Sequence, residues 1–293
     1  MHSKVILAFS LALVIALGSA ATAAGSSSFA GLSGDPQLRS ASALVLDSSG
    51  NVVYGKDVDS VRSIASITKL MTAMVVLDAD LDLDEQLTIS DADRDRVRMT
   101  GSRLRTGATL TRRELLVLAL MSSENRAAAA LGRTYPGGTD AFVAQMNSKA
   151  RALGMSSSRF SDPAGLHTEN LSTASDLAKM IAAAKTYPLI VEATTTLQQE
   201  VHPFASRGAL NYANTNGLLK NPAWDIELSK TGYIHEAGRC LVMRANIGGE
   251  ELSIVLLNSF GTLTPYGDSN RLRKWLLASG RDSHAASAPA GRG

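Results

Sequence analysis

The chain has 293 residues, of which 45% are hydrophobic and 19% are charged, and its formal net charge is +2 at pH 7. This composition is that of a globular protein with a large core, and it excludes a disordered or fibrous chain. The Lys and Arg residues are scattered along the sequence and form no basic stripe, so we expect no nucleic-acid partner.

The N-terminus has the pattern of a secretory signal peptide. Lys4 precedes an apolar run over residues 5–17, and the small residues Ala21-Thr22-Ala23 follow. Because spanning a bilayer takes roughly 20 apolar residues, this shorter run favours a cleaved signal over a membrane anchor. We predict a signal peptide over residues 1–24, a flexible leader over 25–38, one folded domain over 39–280 and a disordered tail over 281–293.

The first predicted elements are a hairpin and a long helix. Apolar segments at 41–46 and 51–54 flank the turn residues 47–50, which predicts two paired strands. A helical rhythm of i, i+3, i+4, i+7 and i+8 follows in Ile67, Leu70, Met71, Met74 and Val75. Capping signals at Thr111-x-x-Glu114 and Thr173-x-x-Asp176 begin further helices, and another is predicted over residues 139–153, ending at Gly154.

The last third of the chain returns to strands. Residues 225–234, 239–247 and 251–258 are predicted strands, and the spacing of Leu272, Trp275 and Leu276 indicates a final helix. The predicted fold is α+β: a five-stranded antiparallel sheet in which the first and last segments pair, flanked by helices, with an inserted all-helical subdomain.

The reactive side chains outside the motifs described below suggest no metal or thiol chemistry. Cys240 is the single cysteine, so no internal disulfide can form, and its apolar surroundings predict a small buried residue. The alternating aspartates from Asp78 to Asp84 lack the Gly and Glu that a calcium loop needs at its sixth and twelfth positions. The five histidines include no H-E-x-x-H pair. We predict no metal and no organic cofactor.

Ser66 and Lys69 stand three residues apart at the start of the first long helix. That spacing places both side chains on one helix face, with Cβ atoms about 5–6 Å apart. A serine hydroxyl needs a nearby base to become a nucleophile, and a lysine can be that base when burial or nearby positive charge lowers its pKa. Ser66 is the only serine in the chain with a lysine three residues on.

Two further short motifs follow in order, Ser123-Glu124-Asn125 and Lys230-Thr231-Gly232. The first makes a polar break between apolar helical stretches, which is costly unless it lines a cleft. A competing S-x-N copy at Ser49 and Asn51 is explained as a hairpin turn. In the second motif, a lysine and a hydroxyl on an accessible strand can hold a carboxylate, while glycine lets a ligand approach the backbone.

The three motifs in this order resemble the signature S-x-x-K, S-x-N and K-T-G of the serine penicillin-binding protein and β-lactamase superfamily. The segments 65–72, 121–125, 162–166 and 230–238 extend the resemblance to low-molecular-mass D-alanyl-D-alanine peptidases, most of all to DD-endopeptidases of the penicillin-binding protein 7 kind. The resemblance covers about residues 38–280.

The resemblance implies a role for each motif residue. Ser66 would attack a D-alanine carbonyl and form an acyl-enzyme, Lys69 would accept its proton, and Ser123 would relay a proton to the departing amine. Asn125 would orient the lysine and the substrate amide, while Lys230, Thr231 and Gly232 would form the site for the substrate carboxylate. The backbone N–H groups of Ser66 and Tyr233 would form an oxyanion hole.

The partners implied by the resemblance are peptidoglycan peptides as substrate and β-lactam antibiotics as covalent inhibitors, for a periplasmic protein with no stable membrane anchor. A class A β-lactamase is one alternative, because Glu169 lies between the second and third motifs, although its surroundings differ from the lactamase loop. A β-lactam receptor or peptidoglycan-binding module is another, but all three motifs are complete. A D-alanyl-D-alanine carboxypeptidase is the third; the expected absence of a β-rich second domain and amphipathic C-terminal helix favours an endopeptidase.

Overall fold

A computed structural model describes residue 29, residue 32, residues 34–206 and residues 208–286, with side chains through residue 278. The predicted signal peptide over residues 1–24 lies outside these residues. None of the described helices combines the length and the apolar character that crossing a membrane requires.

Among the residues that the structure describes, five strands form one antiparallel sheet, as predicted. Their bounds are β1 Ser40–Leu46, β2 Val52–Lys56, β9 Asp225–Ile234, β10 Gly238–Ile247 and β11 Glu250–Ser259. The spatial order is β2-β1-β11-β10-β9, so the first and last segments pair, with Leu44 opposite Val255. β9 lies at an edge of this sheet, which leaves one side of the strand free to contact the inserted segment.

Within the described part of the chain, seven α-helices accompany the sheet. They are α1 Thr68–Asp78, α2 Arg112–Met121, α3 Asn125–Arg133, α4 Gly138–Ala152, α5 Ala174–Ala184, α6 Pro188–Thr195 and α7 Thr264–Ala286. Both predicted N-caps are formed. The side chains of Thr111 and Thr173 accept hydrogen bonds from the backbone N–H groups of Glu114 and Asp176. Gly154 follows α4 with φ +69°, the left-handed conformation expected after a helix.

The segment inserted between β2 and β9 is not all-helical, which corrects the prediction. It also contains three short antiparallel strand pairs: β3 Arg62–Ser63 with β6 Leu171–Ser172, β4 Gln86–Thr88 with β5 Thr109–Thr111, and β7 Gln198–Val201 with β8 Leu210–Ala213. These strands are two to four residues long, too short for the period-2 pattern to stand out in the sequence.

The strands alternate their side chains between two apolar cores. On one face Leu44, Val242 and Val255 pack with α1 to α6, and on the other Val45 and Leu241 pack with α7. α1 crosses the larger core and is buried from Thr68 to Val76. The other inserted helices, α2 to α6, surround it. A helix buried in this way provides a rigid support for side chains at its N-terminus.

The ends of the folded domain differ from the predicted boundaries. Within the predicted flexible leader (25–38), Phe29 and Leu38 are buried in the core beside α7, because both are apolar side chains that cover the outer face of the sheet. At the other end, α7 continues to Ala286, past the predicted start of a disordered tail at 281, since no proline interrupts it. Residues 287–293 lie outside the described residues.

Candidate active site

Ser66 lies in a tight turn at the entrance to α1. A 3-10 turn over Ala65–Ile67 leads directly into the helix, and Ala65 adopts φ +48°. The backbone N–H of Ile64 donates to the carbonyl oxygen of Asn170 at 3.0 Å, which fixes the approach to the turn. A non-glycine residue in the left-handed region is uncommon and clusters at functional sites.

Lys69 is completely buried one turn after Ser66, and its amine is fully hydrogen-bonded. Its Nζ lies 2.7 Å from Ser66 Oγ, 2.8 Å from Asn125 Oδ1 and 2.6 Å from the carbonyl oxygen of Ala164. A neutral amine has two N–H donors and one lone pair. Donation to Asn125 and Ala164 therefore leaves the lone pair directed at the hydroxyl of Ser66.

The electrostatic surroundings of Lys69 favour this neutral form. Burial lowers the pKa of the amine to about 7, although the charges of Asp162, Glu124 and Asp95 act in the opposite direction. Desolvation disfavours an ammonium ion because water no longer stabilises the charge. At neutral pH a substantial fraction of Lys69 is consequently able to accept a proton.

The loop that carries Ala164 is organised by Asp162. One carboxylate oxygen accepts backbone N–H bonds from Ala164 and Gly165 at 2.7 Å each, and the other accepts from the backbone N–H of His167 and from Asn170 Nδ2. This Asp-Pro segment belongs to the family resemblance, but no role for Asp162 was predicted. The signal was available, because an aspartate at the first position of such a turn binds the following backbone amides.

Ser123 lies between α2 and α3 with φ +59°. Its Oγ accepts a hydrogen bond from Lys230 Nζ at 3.0 Å, and the same amine donates to the carbonyl oxygen of Thr231 at 3.0 Å. Lys230 is 1% exposed, whereas the sequence predicted an accessible lysine. Burial lowers the pKa of Lys230 well below its ordinary value, and the nearby Lys69 lowers it further.

Gly232 lets β9 lie against the turn that carries Ser66. A Cβ at this position would meet the carbonyl oxygen of Ile64 at 2.8 Å and the backbone nitrogen of Ile67 at 3.3 Å. Gly232 therefore allows the close approach of the Ser66 turn to β9. The sequence had predicted that this glycine would allow the close approach of a ligand. Tyr233, the next residue, is half-exposed and lines the cleft.

These elements enclose a cleft of about 290 Å³. The predicted site residues on its surface are Ser66, Ser123, Asn125, Thr231, Gly232 and Tyr233. Lys69 and Lys230 lie behind this surface and reach it through the hydroxyl groups of Ser66 and Ser123.

The sequence motifs did not indicate several residues of the cleft, among them Thr215, Arg239 and Tyr266. The guanidinium of Arg239 lies 4.2 Å from the centre of the Tyr233 ring. Arg239 on β10 is the residue paired with Tyr233 on β9. Thr215 Oγ1 lies 2.6 Å from Thr231 Oγ1, and Tyr266 donates its hydroxyl proton to the carbonyl oxygen of Thr215 at 2.9 Å. Hairpin register was the one signal that pointed to Arg239; the other two residues have no motif.

The competing sequence patterns lie away from the cleft. The backbone amides of Ser49 and Asn51 donate to the carboxylate of Asp47, which confirms a hairpin turn. The carboxylate of Glu169 accepts a hydrogen bond from Thr168 at 3.2 Å and is more than half exposed. Among the residues that the structure describes, no cluster of three or more His, Cys, Asp or Glu side chains could hold a metal ion.

Comparison with known proteins finds a matching family, similar relatives and a solved structure of similar fold. Residues 30–261 match the D-alanyl-D-alanine carboxypeptidase family, peptidase S11. The chain is 47% identical to a D-alanyl-D-alanine endopeptidase of Pseudomonas aeruginosa over 84% of this chain and 80% of that protein. It is 44% identical to the D-alanyl-D-alanine endopeptidase of Escherichia coli, over 92% and 87% respectively. The crystal structure of the Streptomyces K15 DD-transpeptidase superposes with a TM-score of 0.77 at 28% identity, over 84% of this chain and 100% of that one.

Proposed function

Since the chain belongs to the D-alanyl-D-alanine carboxypeptidase family of serine peptidases, we propose that it cleaves peptidoglycan stem peptides through an acyl-enzyme on Ser66. The observation that carries this proposal is the 2.7 Å contact between Ser66 Oγ and the buried amine of Lys69. A lysine with a pKa of about 7 is matched to proton transfer near neutral pH.

Acylation begins when Lys69 Nζ takes the hydroxyl proton and Ser66 Oγ bonds to the carbonyl carbon of a D-alanine. The negative charge then develops on the carbonyl oxygen, which the backbone N–H groups of Ser66 and Tyr233 stabilise. As the peptide C–N bond breaks, Ser123 gives its proton to the departing amine. Lys230, 3.0 Å from Ser123 Oγ, donates a hydrogen bond to that oxygen, which regains its proton from the Lys69 ammonium. The proton taken from Ser66 is thus passed to the departing amine, and water later hydrolyses the ester.

The carboxylate next to the scissile bond lies at the β9 side of the cleft. Thr231 and Arg239 line this side, so a hydroxyl donor and a guanidinium are available to it. Lys230 is covered by protein and supports the carboxylate through Thr231 and Ser123, not by direct contact. This assignment revises the role that the resemblance implied for Lys230.

The substrate we propose is the D-alanyl–diaminopimelate cross-link, which makes the protein an endopeptidase. The support is the name shared by the relatives at 47% and 44% identity, D-alanyl-D-alanine endopeptidase. Carboxypeptidase activity on terminal D-alanine is the second candidate, because the matched family bears that name. Both reactions leave a carboxylate beyond the scissile bond, so both fit the same cleft.

Product analysis on purified muropeptides tests the proposal. The wild-type protein should convert cross-linked dimers to monomers, and Ser66→Ala should leave them intact. Ser49→Ala, which alters the second S-x-N copy in the hairpin turn, is the matched control and should cleave like wild type. Release of D-alanine from pentapeptides with dimers untouched would replace the endopeptidase assignment with carboxypeptidase, and absence of both products would refute the proposed function.

We also propose that the enzyme works in the periplasm after cleavage of residues 1–24. The support is the charged start, short apolar run and small residues of the N-terminal sequence. N-terminal sequencing of the protein recovered from the periplasmic fraction should begin just after this segment. Recovery of the uncleaved chain in the membrane fraction would contradict the proposal.

A further inference from the structure

A second aspartate-centred loop, around Asp95, contacts the amide of Asn125. Asp95 Oδ1 accepts backbone N–H bonds from Val97 at 2.9 Å and Arg98 at 2.8 Å. Its Oδ2 accepts the backbone N–H of Thr100 at 3.0 Å and the hydroxyl of Thr100 at 2.6 Å. Asp95 therefore fixes both the backbone and the hydroxyl of Thr100.

The protonation state of Asp95 determines where the hydroxyl proton of Thr100 lies. Burial alone would raise the Asp95 pKa, but hydrogen bonds from Arg98, Thr100 and Val97 outweigh it and hold the pKa below its ordinary value. An ionised carboxylate is an acceptor only. Thr100 must consequently donate its single hydroxyl proton to Asp95, and its oxygen can only accept from any further partner.

That further partner is Asn125, whose Nδ2 lies 3.0 Å from Thr100 Oγ1. Because Thr100 Oγ1 has no second proton to donate, the Asn125 atom that faces it must be the amide NH₂ group. The other end of the same amide, Oδ1, is then directed at Lys69 Nζ, 2.8 Å away. With the opposite amide orientation, an N–H would face Lys69 and compete with Ser66 for the lysine lone pair.

We propose that Asp95 and Thr100 are positioning residues that hold the Asn125 amide with its oxygen toward Lys69, and so keep the lysine lone pair available to Ser66. The inference rests on the proposed acyl-enzyme chemistry and adds to it the device that selects the amide orientation. Neither residue belongs to the three motifs. A chain of hydrogen bonds thus runs from the Asp95 carboxylate through Thr100 and Asn125 to the Lys69 amine. The carboxylate sets the direction of these bonds because it can only accept.

Substitution at Thr100 separates this role from simple support of the loop. Thr100→Val keeps the shape and removes the hydroxyl, whereas Thr100→Ser keeps the hydroxyl. Loss of one hydrogen bond of this kind corresponds to about five- to tenfold in rate. We therefore expect Thr100→Val to lower the second-order rate constant of acylation by a fluorescent penicillin about five- to tenfold, and Thr100→Ser to restore it to within about twofold.

The pH profile supplies the readout that a structural role would not change. Without the fixed Asn125 oxygen, the Lys69 ammonium loses an acceptor, so the acidic limb of the acylation profile should move to lower pH in Thr100→Val. Thr88→Val is the control, because it removes an exposed hydrogen bond between the hydroxyl groups of Thr88 and Thr109 in the β4–β5 pair. This variant should keep the wild-type acylation rate and the wild-type acidic limb. Asp95→Asn should lower the rate in the same direction as Thr100→Val.

Two results would overturn the inference. One is a Thr100→Val enzyme with the wild-type rate and an unmoved acidic limb. The other is a Thr100→Ser enzyme as impaired as Thr100→Val, because the hydroxyl would then not be the group that matters. Both results leave the proposed function intact so long as Ser66→Ala fails to acylate, and acylation of Ser66→Ala would instead refute the proposed function.

Discussion

At the scale of single residues, the central feature is a lysine placed where its charge is unfavourable. Lys69 is fully buried and surrounded by hydrogen-bond acceptors and one hydroxyl. A surface lysine at the same spacing from Ser66 would remain protonated at neutral pH and could not act as a base. The i, i+3 spacing sets the distance between the two groups, while burial lowers the pKa of the amine and so lets it act as a base.

The pH dependence of acylation follows from the lowered pKa of Lys69. Because only the neutral amine accepts the Ser66 proton, acylation by labelled penicillin should rise with pH through about 7, the pKa of the buried amine. Stopped-flow measurement of acylation from acid to neutral pH gives this profile. A rate that stays constant across this range would contradict a base at position 69.

Replacing Lys69 by arginine tests the same residue without changing the charge of its protonated form. Arginine stays protonated in proteins, so Lys69→Arg should lose about 10²- to 10⁴-fold in acylation rate, the usual contribution of a general base. Lys179→Arg is the matched control and should react normally, because this half-exposed lysine pairs with Asp176 away from the cleft. Near-wild-type acylation of Lys69→Arg would exclude Lys69 as the base.

At the scale of elements, the active site depends on loops held against the turn before α1. Gly165 has φ +77°, and a Cβ there would meet the carbonyl oxygen of Ala65 at 2.0 Å. The Asp162 loop can therefore lie on the Ser66 turn only because this residue is glycine. The contact places the Ala164 carbonyl within reach of Lys69.

Gly165→Ala should consequently destabilise the fold beyond the effect of its dihedral angle. Gly138 has the same φ of +77° with nothing within 4 Å of its ideal Cβ, so Gly138→Ala is the matched control. We expect the control to lose about 1–2 kcal/mol in free energy of unfolding and Gly165→Ala to lose at least about 2 kcal/mol more, by urea denaturation. Equal losses in the two variants would show that the close approach is absent.

Arg98 forms a second link between elements. Arg98 Nε donates to the carbonyl oxygen of Leu166 at 2.6 Å, and its guanidinium pairs with Glu236 at 2.8 Å. Arg98 thus joins the Asp95 loop, the Asp162 loop and the turn between β9 and β10. Since the ion pair is partly exposed, its contribution to global stability should be small, and its effect should be local.

Arg98→Ala should therefore raise amide hydrogen exchange in segments 95–100 and 235–237 while changing the free energy of unfolding by no more than about 1 kcal/mol. Arg96→Ala, which removes an exposed pair with Asp91, provides the comparison and should leave the 235–237 segment unchanged. Exchange in that segment that is the same in both variants would mean that Arg98 does not connect the loop to the sheet.

At the scale of the whole molecule, the sheet divides two cores, and the single cysteine reports on one of them. Cys240 on β10 is buried in the core that contains α1, and burial raises the pKa of its thiol to about 11. A buried neutral thiol is unreactive. Although Cys240 lines the wall of the cleft, it is only 2% exposed, so its thiol should react when the structure around it opens.

A thiol reagent should label the native protein at a rate set by unfolding, and the denatured protein rapidly. Addition of a β-lactam should leave the labelling of native protein slow, because acylation at Ser66 requires no opening of the sheet. Labelling can be followed by mass spectrometry with the denatured chain as control. Labelling of the native protein as fast as that of the denatured chain would contradict the buried position of Cys240.

Sequence reasoning predicted what depends on neighbours in the chain. The strand bounds of β9, the helix caps at Thr111 and Thr173 and the Ser66–Lys69 spacing are set by local periodicity and spacing, and they agree with the structure. The burial of Lys230 and the packing of Phe29 depend on segments far apart in the chain. No local pattern encodes such contacts, and for the same reason the Asp95–Thr100 contact with Asn125 was not predicted.

The central claim is that Ser66 forms the covalent bond to the substrate, with Lys69 as its base. Intact-mass and peptide-mapping mass spectrometry after brief exposure to penicillin tests it most directly. We predict one adduct per chain, located on the peptide that contains Ser66 and absent from Ser66→Ala. An adduct on another residue, or undiminished labelling of Ser66→Ala, would contradict the account.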